Sequence, residues 1–113
     1  MEPFTETRPW GNFRQFTLNE PVTVKILHLN PNSSLSLQKH KKRTEFWHVI
    51  SGGAKVTAGD RLQVVQTGDE VIIGEGVEHR VESGDSPLEL LEVTRGEFDE
   101  HDEVRLKDEY GRK

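Results

Sequence analysis

"SLQKHKKRTEFW" (residues 36–47) sets Gln38 two residues before His40, then runs through three basic residues to Glu45 and an aromatic pair. Successive side chains of a strand point to opposite faces, so Ser36, Gln38 and His40 fall on one face and Leu35, Leu37 and Lys39 on the other. Burying the polar face costs free energy unless each group finds a partner. The stretch is therefore either a solvated surface strand or one wall of a polar cavity, and the rest of the chain decides between them.

Period-two alternation of apolar and polar residues recurs in "VTVKILHL" (22–29), "LSLQ" (35–38), "EFWHVISG" (45–52), "AKVTA" (54–58), "RLQVVQ" (61–66), "EVIIG" (70–74), "HRVES" (79–83) and "LELLEV" (88–93). Such runs read as strands, and the Gly-, Asn-, Asp- and Pro-bearing stretches between them, such as "NPNSS", "TGD" and "SGDSP", read as turns. Eight short strands at this spacing predict an all-β antiparallel sandwich or barrel. No helix is expected. The core strands are placed at about 22–95, and the charged tail 96–113 is read as a short helical turn, an arm across the barrel mouth or a frayed end.

The chain has 113 residues, enough for one hydrophobic core, so residues 1–113 are read as a single domain. Charged residues make up 31% and apolar residues 32%, and no run reaches the roughly 20 apolar residues of a membrane span. Neither a secretion-signal pattern nor a cysteine is found, so the expectation is a soluble cytoplasmic protein without disulfides or thiolate ligands. The formal net charge of −5 speaks against nucleic-acid binding, which needs a basic surface, and no membrane partner is expected.

A second polar cluster lies in "GDEVIIGEGVEH", which ends in His79 at the start of another strand. If the two strands face each other across a barrel, Gln38, His40, Glu45 and His79 converge as an amide oxygen, two imidazoles and a carboxylate. That donor set suits one divalent cation, Zn first, with Mn, Fe, Co and Ni as alternatives, and leaves positions open for water or substrate. His28, His48 and His101 lie outside the set, and Trp10 and Trp47 are read as core or barrel-mouth aromatics.

The spacing resembles the two motifs of the cupin superfamily: Asn32, Gln38, His40, Glu45 and Gly52 follow the first, and Gly68, Gly74, Gly76, His79 and Ser83 the second. Asn32, Gly74 and Ser83 stand where the motifs usually have Gly, Pro and Asn; Asn tolerates positive φ, so the first departure costs little. Gln38 in place of the first histidine points within the superfamily to the type II phosphomannose isomerase domain, usually fused to mannose-1-phosphate guanylyltransferase. The segments "RPWGNF" (8–13), "LSLQKHKKRTEFWHVISGGAKV" (35–56), "EGVEHRV" (75–81), "LLEVTRGEF" (90–98) and "DEVRLKDEYGR" (102–112) carry that resemblance.

The resemblance implies a jelly-roll barrel that interconverts mannose 6-phosphate and fructose 6-phosphate through an enediol. It implies a metal at Gln38, His40, Glu45 and His79, with Arg43 acting on the developing enediolate or on phosphate. Lys41, Lys42, Arg80, Arg95 and Arg105 are further candidates for the substrate's phosphate, and Glu92 for proton transfer, on a face that the strand register decides. The nucleotidyltransferase half is absent from the chain, so guanylyl transfer is not expected of it alone. Alternative readings are a non-catalytic sugar-phosphate-binding or regulatory cupin and, from His40, Glu45 and His79, an Fe-dependent oxygenase. Edge strands of so short a sandwich need covering, which predicts a homodimer.

Overall fold

Alternation of the kind read above builds eleven strands among the described residues and no helix. The computed structural model describes residues 2–35, 37–40, 43–96 and 103–107, with the backbone alone for His40 and 103–107. The strands are β1 (Phe4–Arg8), β2 (Gly11–Gln15), β3 (Val22–Leu29), β4 (Leu37–His40), β5 (Arg43–Ser51), β6 (Gly53–Ala58), β7 (Arg61–Gln66), β8 (Glu70–Ile73), β9 (His79–Ser83), β10 (Leu88–Gly96) and β11 (Glu103–Lys107). A four-stranded sheet in the order β3-β10-β5-β8 and a five-stranded sheet in the order β11-β4-β9-β6-β7 form the barrel, and β1 and β2 make a separate hairpin. Every pairing is antiparallel.

All eight expected strands are present, and three further ones flank them. The hairpin at 4–15 was not foreseen, and part of the tail, 103–107, resolves its open reading as an added strand along β4. Trp10, expected in the core or at the mouth, is 71% exposed at the hairpin turn, because the hairpin stands apart from both sheets and the indole stacks on Phe13. Leu35 departs from the expected alternation too. The strand begins only at Leu37, while Ser34 bridges to Glu82 and the Leu35 amide donates to Val81, so Leu35 packs inward with the core.

The core forms where inward positions of both sheets are apolar: Leu29, Trp47, Val49, Val56, Val81, Leu88 and Leu90 are each at most 5% exposed. Two turn positions depend on backbone freedom. Asn32 adopts φ +54° and its amide donates to the Gly84 carbonyl at 2.7 Å, the conformation expected of an Asn standing in for Gly. Gly52, which closes the first motif, has φ +89°, and a Cβ there would come within 2.3 Å of the Pro87 carbonyl oxygen.

The outer face of the four-stranded sheet is strapped by the N-terminal segment. Phe16 packs on Phe46 with ring centroids 5.7 Å apart, which explains why Phe46, on the outward side of β5, is buried. Arg14 grips Glu70 with two hydrogen bonds of 2.8 and 2.7 Å, and Glu70 also lies 2.8 Å from His48 Nδ1. The Arg14 guanidinium, helped by His48, holds the Glu70 carboxyl below the usual carboxylate range despite its partial burial.

Candidate metal centre and active site

Each strand that lines the barrel changes chemistry partway along its inward face. On β5 the inward residues run Arg43, Glu45, Trp47, Val49; on β10 they run Thr94, Glu92, Leu90, Leu88; on β3, Lys25, Leu27, Leu29. One end of the interior is therefore apolar and the other polar, and apart from the exposed Lys25 the polar end is as dry as the core: Arg43 is 6% exposed, Glu45 and His79 4%, Glu92 8% and Thr94 1%. Charged side chains are rarely buried this deeply without pairing, so their gathering at one end of one barrel marks a site.

Glu45 and His79 meet there, with His79 Nε2 3.7 Å from Glu45 Oε2. His79 Nδ1 lies 3.0 Å from the Val77 carbonyl, which can only accept; Nδ1 therefore carries the proton in the neutral ring, and the Nε2 lone pair faces Glu45. The Trp47 indole donates to Glu45 Oε2 at 3.1 Å, and Arg43 Nε stands 3.5 Å from Oε1, so both carboxylate oxygens are oriented. The Trp47 ring meets the His79 ring edge-on, with centroids 5.8 Å apart. Gln38 on β4 is directly opposite His79 on β9 and lines the same cavity.

The strand arrangement differs from the expected one in a single respect. The strands bearing Gln38 and His79 are neighbours in one sheet, and Glu45 approaches from the opposing sheet. His40 lies on β4 with its backbone opposite Glu103, and its side chain lies outside the described residues. Among the described residues, no three His, Asp or Glu side chains close around one point.

The donors that are described fit a divalent cation. An imidazole lone pair and a carboxylate oxygen 3.7 Å apart can be spanned by two bonds of about 2.0–2.2 Å. The carbonyl behind Nδ1 and the indole on the carboxylate are outer partners of the kind that fix metal ligands in place. Gln38 lines the same cavity beside them, and its amide is of a chemistry that could join them; the side chain of His40, the remaining residue of the expected set, lies outside the described residues.

The cavity has a volume of about 130 Å³. Arg43, Glu92 and Arg80 line it, as their proposed roles require. Register settles the face of Glu92: its Cα pairs with Trp47 on β5 and Lys25 on β3, and its Oε1 accepts from the Thr94 hydroxyl at 3.4 Å. Arg80 also donates to Ser34 Oγ at 3.2 Å.

Arg95 is a correction. It follows the inward Thr94 on β10, so alternation turns it to the outer face, where it donates to the Phe16 carbonyl at 2.8 Å and pairs with Glu20 at 3.2 Å. It straps the N-terminal segment and does not line the cavity. Lys41 and Lys42 lie outside the described residues, as does the side chain of Arg105, whose backbone is opposite Gln38. His28 and His48 face away from the site, at Glu89 and Glu70 respectively, as expected; His101 lies outside the described residues.

Lys25 lines the cavity and was not foreseen. Its signal was present in "VTVKILHL", where it shares the face of Leu27 and Leu29 and is the only charged residue on it.

Comparison with known proteins agrees with this geometry. The family model described as mannose-6-phosphate isomerase C-terminal matches residues 3–108. The xanthan biosynthesis protein XanB of Xanthomonas campestris pv. campestris (strain B100) is 41% identical over 107 residues, which is 93% of this chain and 23% of that protein. Mannose-1-phosphate guanylyltransferase 2 of Escherichia coli O157:H7 is 39% identical over 105 residues, 91% of this chain and 22% of that protein. The chain thus spans less than a quarter of these relatives. Among solved structures, oxalate decarboxylase from Bacillus subtilis superposes with a TM-score of 0.70 at 27% identity, covering 77% of this chain and 24% of that one. A cupin protein from Bacteroides fragilis superposes with a TM-score of 0.63 at 22% identity, covering 77% of this chain and 78% of that one. The fold is a cupin barrel.

Proposed function

Because the chain belongs to the mannose-6-phosphate isomerase C-terminal family, we propose that it is a metal-dependent sugar-phosphate isomerase exchanging mannose 6-phosphate and fructose 6-phosphate in the polar end of the barrel. The observation that carries this reading is a buried Glu45–His79 pair sharing one cavity with a second buried carboxylate, Glu92, and the Arg43 guanidinium.

Aldose and ketose differ by a proton moved between C1 and C2 and one moved between their oxygens. The chain must therefore supply a base that reaches both carbons and positive charge for the oxygens of the enediolate. Glu92 is suited to the first task. It lies on the same cavity wall as Glu45, one strand over, with His79 on the opposing sheet, and the Thr94 hydroxyl orients its Oε1. Arg43 serves the second. Its ion pair with Glu45 fixes the guanidinium at the cavity wall, where low dielectric strengthens its effect on a developing anion. Gln38, His40, Glu45 and His79 would hold a divalent ion, Zn by first choice, and that ion would supply Lewis acidity at the C1 and C2 oxygens. Trp47, beneath the site, orients Glu45 and closes the cavity against the apolar core.

The same reading places the protein in the cytoplasm. It also makes the protein a homodimer, formed where the edge strand β3 leaves Val24 and Ile26 55% and 63% exposed.

One alternative has an observation of its own. Since the chain spans less than a quarter of the length of its relatives, the second reading is a barrel that binds sugar phosphate without turning it over. Purified protein with added Zn or Mn, mannose 6-phosphate and a coupled read-out of fructose 6-phosphate separates the two. The isomerase reading expects metal-dependent turnover, and tight binding with no turnover under any first-row metal would replace it with the binding module.

A further inference from the structure

The N-terminal hairpin has two unlike faces. Its register sets Phe4, Glu6 and Arg8 opposite Gln15, Phe13 and Gly11 on one face, and Thr5 and Thr7 opposite Arg14 and Asn12 on the other. The first face carries the aromatics: Trp10, at the turn, stacks on Phe13 with centroids 6.4 Å apart, the Arg8 guanidinium lies 5.6 Å from the same ring, and Phe4 and Trp10 are 40% and 71% exposed. The second carries Arg14, which donates to Thr5 and grips Glu70 of the barrel. The hairpin is thus rooted through its polar face, with the aromatic face turned away. A two-stranded hairpin without further cover is marginal in water, so such a face calls for a partner. We propose that the hairpin is an arm that docks on a second copy of the chain, lying along the partner's β3, and that two exchanged arms close the homodimer, on which reading the inference rests.

The path of the strap points there. From Arg14 at Glu70 on β8 it passes Phe16 over Phe46 on β5 and Arg95 on β10 before entering β3, so it crosses the whole outer face and the hairpin leaves over the β8 edge. Its own β3 is then the far edge of the sheet, about 14 Å from β8 at three strand spacings. Stacking the outer faces of two copies about a two-fold axis parallel to the strands reverses the strand order, which sets the partner's β3 above this copy's β8, beside the departing hairpin. The strap also runs diagonally, from the row of Ile26, Leu91, His48 and Glu70 to that of Val22 and Arg95, so the hairpin departs toward the His28 end of the partner's β3. That strand offers what the arm needs. Among the described residues it is an edge strand, and its outward Val24 and Ile26 are 55% and 63% exposed. The hairpin, residues 4–15, and the 8 residues of β3 give each copy about twenty interface residues, as a stable interface of standard size requires. The contact is isologous, so both β3 edges are covered at once and no third copy adds.

The test uses the full chain, whose lack of cysteine makes introduced ones unique. Thr7→Cys, on the exposed arm, and His28→Cys, on the exposed end of β3, are made singly and together and treated with a short bismaleimide. The double variant is expected to give a species of twice the chain mass and the single variants none, because the two-fold axis holds like positions far apart. In sedimentation equilibrium, Trp10→Ser is expected to weaken the dimer about 10–100-fold, while Leu62→Ser, at a residue 66% exposed on β7, leaves it unchanged and both variants keep the wild-type circular dichroism spectrum. Cross-linking within one chain or in either single variant overturns the arm, as does its absence from a dimeric double variant or a Trp10→Ser dimer as tight as wild type. Each of these results leaves the homodimer reading standing so long as the wild type sediments as a dimer. A monomeric wild type removes both.

Discussion

Glu45 receives the Trp47 indole on one oxygen and the Arg43 guanidinium beside the other, so its geometry is set before any ligand arrives. That pre-orientation has a measurable value. Trp47→Phe keeps the apolar ring and removes the donor, and metal affinity is expected to fall about 10–100-fold, the usual consequence of losing an outer partner, with the melting temperature little changed. A titration giving equal affinity would show that the indole serves packing alone. Glu92→Gln is expected to lower kcat by about 10²- to 10⁴-fold while metal content, measured by elemental analysis, stays at the wild-type level. At this scale the sequence was informative where chemistry follows spacing: Gln38, Glu45 and His79 lie together in the fold as their intervals in the chain suggested. It was uninformative where chemistry follows register. Whether Glu92 faced inward, or Arg95 outward, depended on which partner strand each residue opposes, and no local pattern encodes that.

Among the elements, the N-terminal hairpin and its strap were the least legible. "FTETRPWGNFRQF" carries a Pro-Trp-Gly turn between alternating segments, but its strands are short, mostly exposed and paired only with each other, so they lack the half-buried period-two pattern that betrays a core strand. The strap is held by the Arg14–Glu70 pair, and because the Glu70 carboxyl is held below its unfolded value, the pair's contribution is fully present above that unfolded value and is lost as pH falls from it through the lowered folded one. Glu70→Gln should therefore melt below wild type at pH 7, and the gap should start to narrow once pH falls below the unperturbed value of about 4.3. A gap of constant size from pH 7 down through the acid limb of the titration would assign the effect to packing. The turn at Gly52 is more demanding. Gly52→Ala adds strain at positive φ and a clash with backbone, and it is expected to cost more than about 1–3 kcal/mol in chemical denaturation, where a neutral outcome would show that the 52–53 turn can relax.

Across the whole molecule, the feature that ties fold to function is the division of one barrel interior into an apolar end and a polar end. Strand alternation made the barrel readable from the chain, while the division became visible only when inward residues of different strands were laid side by side. The exposed Val24 and Ile26 on the edge strand β3 give the proposed dimer its test: light scattering is expected to return twice the chain mass, and Ile26→Lys the mass of one chain with an unchanged circular dichroism spectrum. A monomeric wild type would remove that proposal without touching the site. The site itself is tested most directly by following mannose 6-phosphate with the metal-loaded protein in D₂O by NMR. The account predicts conversion to fructose 6-phosphate with deuterium entering at C2 of the aldose and C1 of the ketose, both abolished in Glu92→Gln; a metal-loaded protein that binds the sugar phosphate yet yields neither conversion nor deuterium exchange would contradict it.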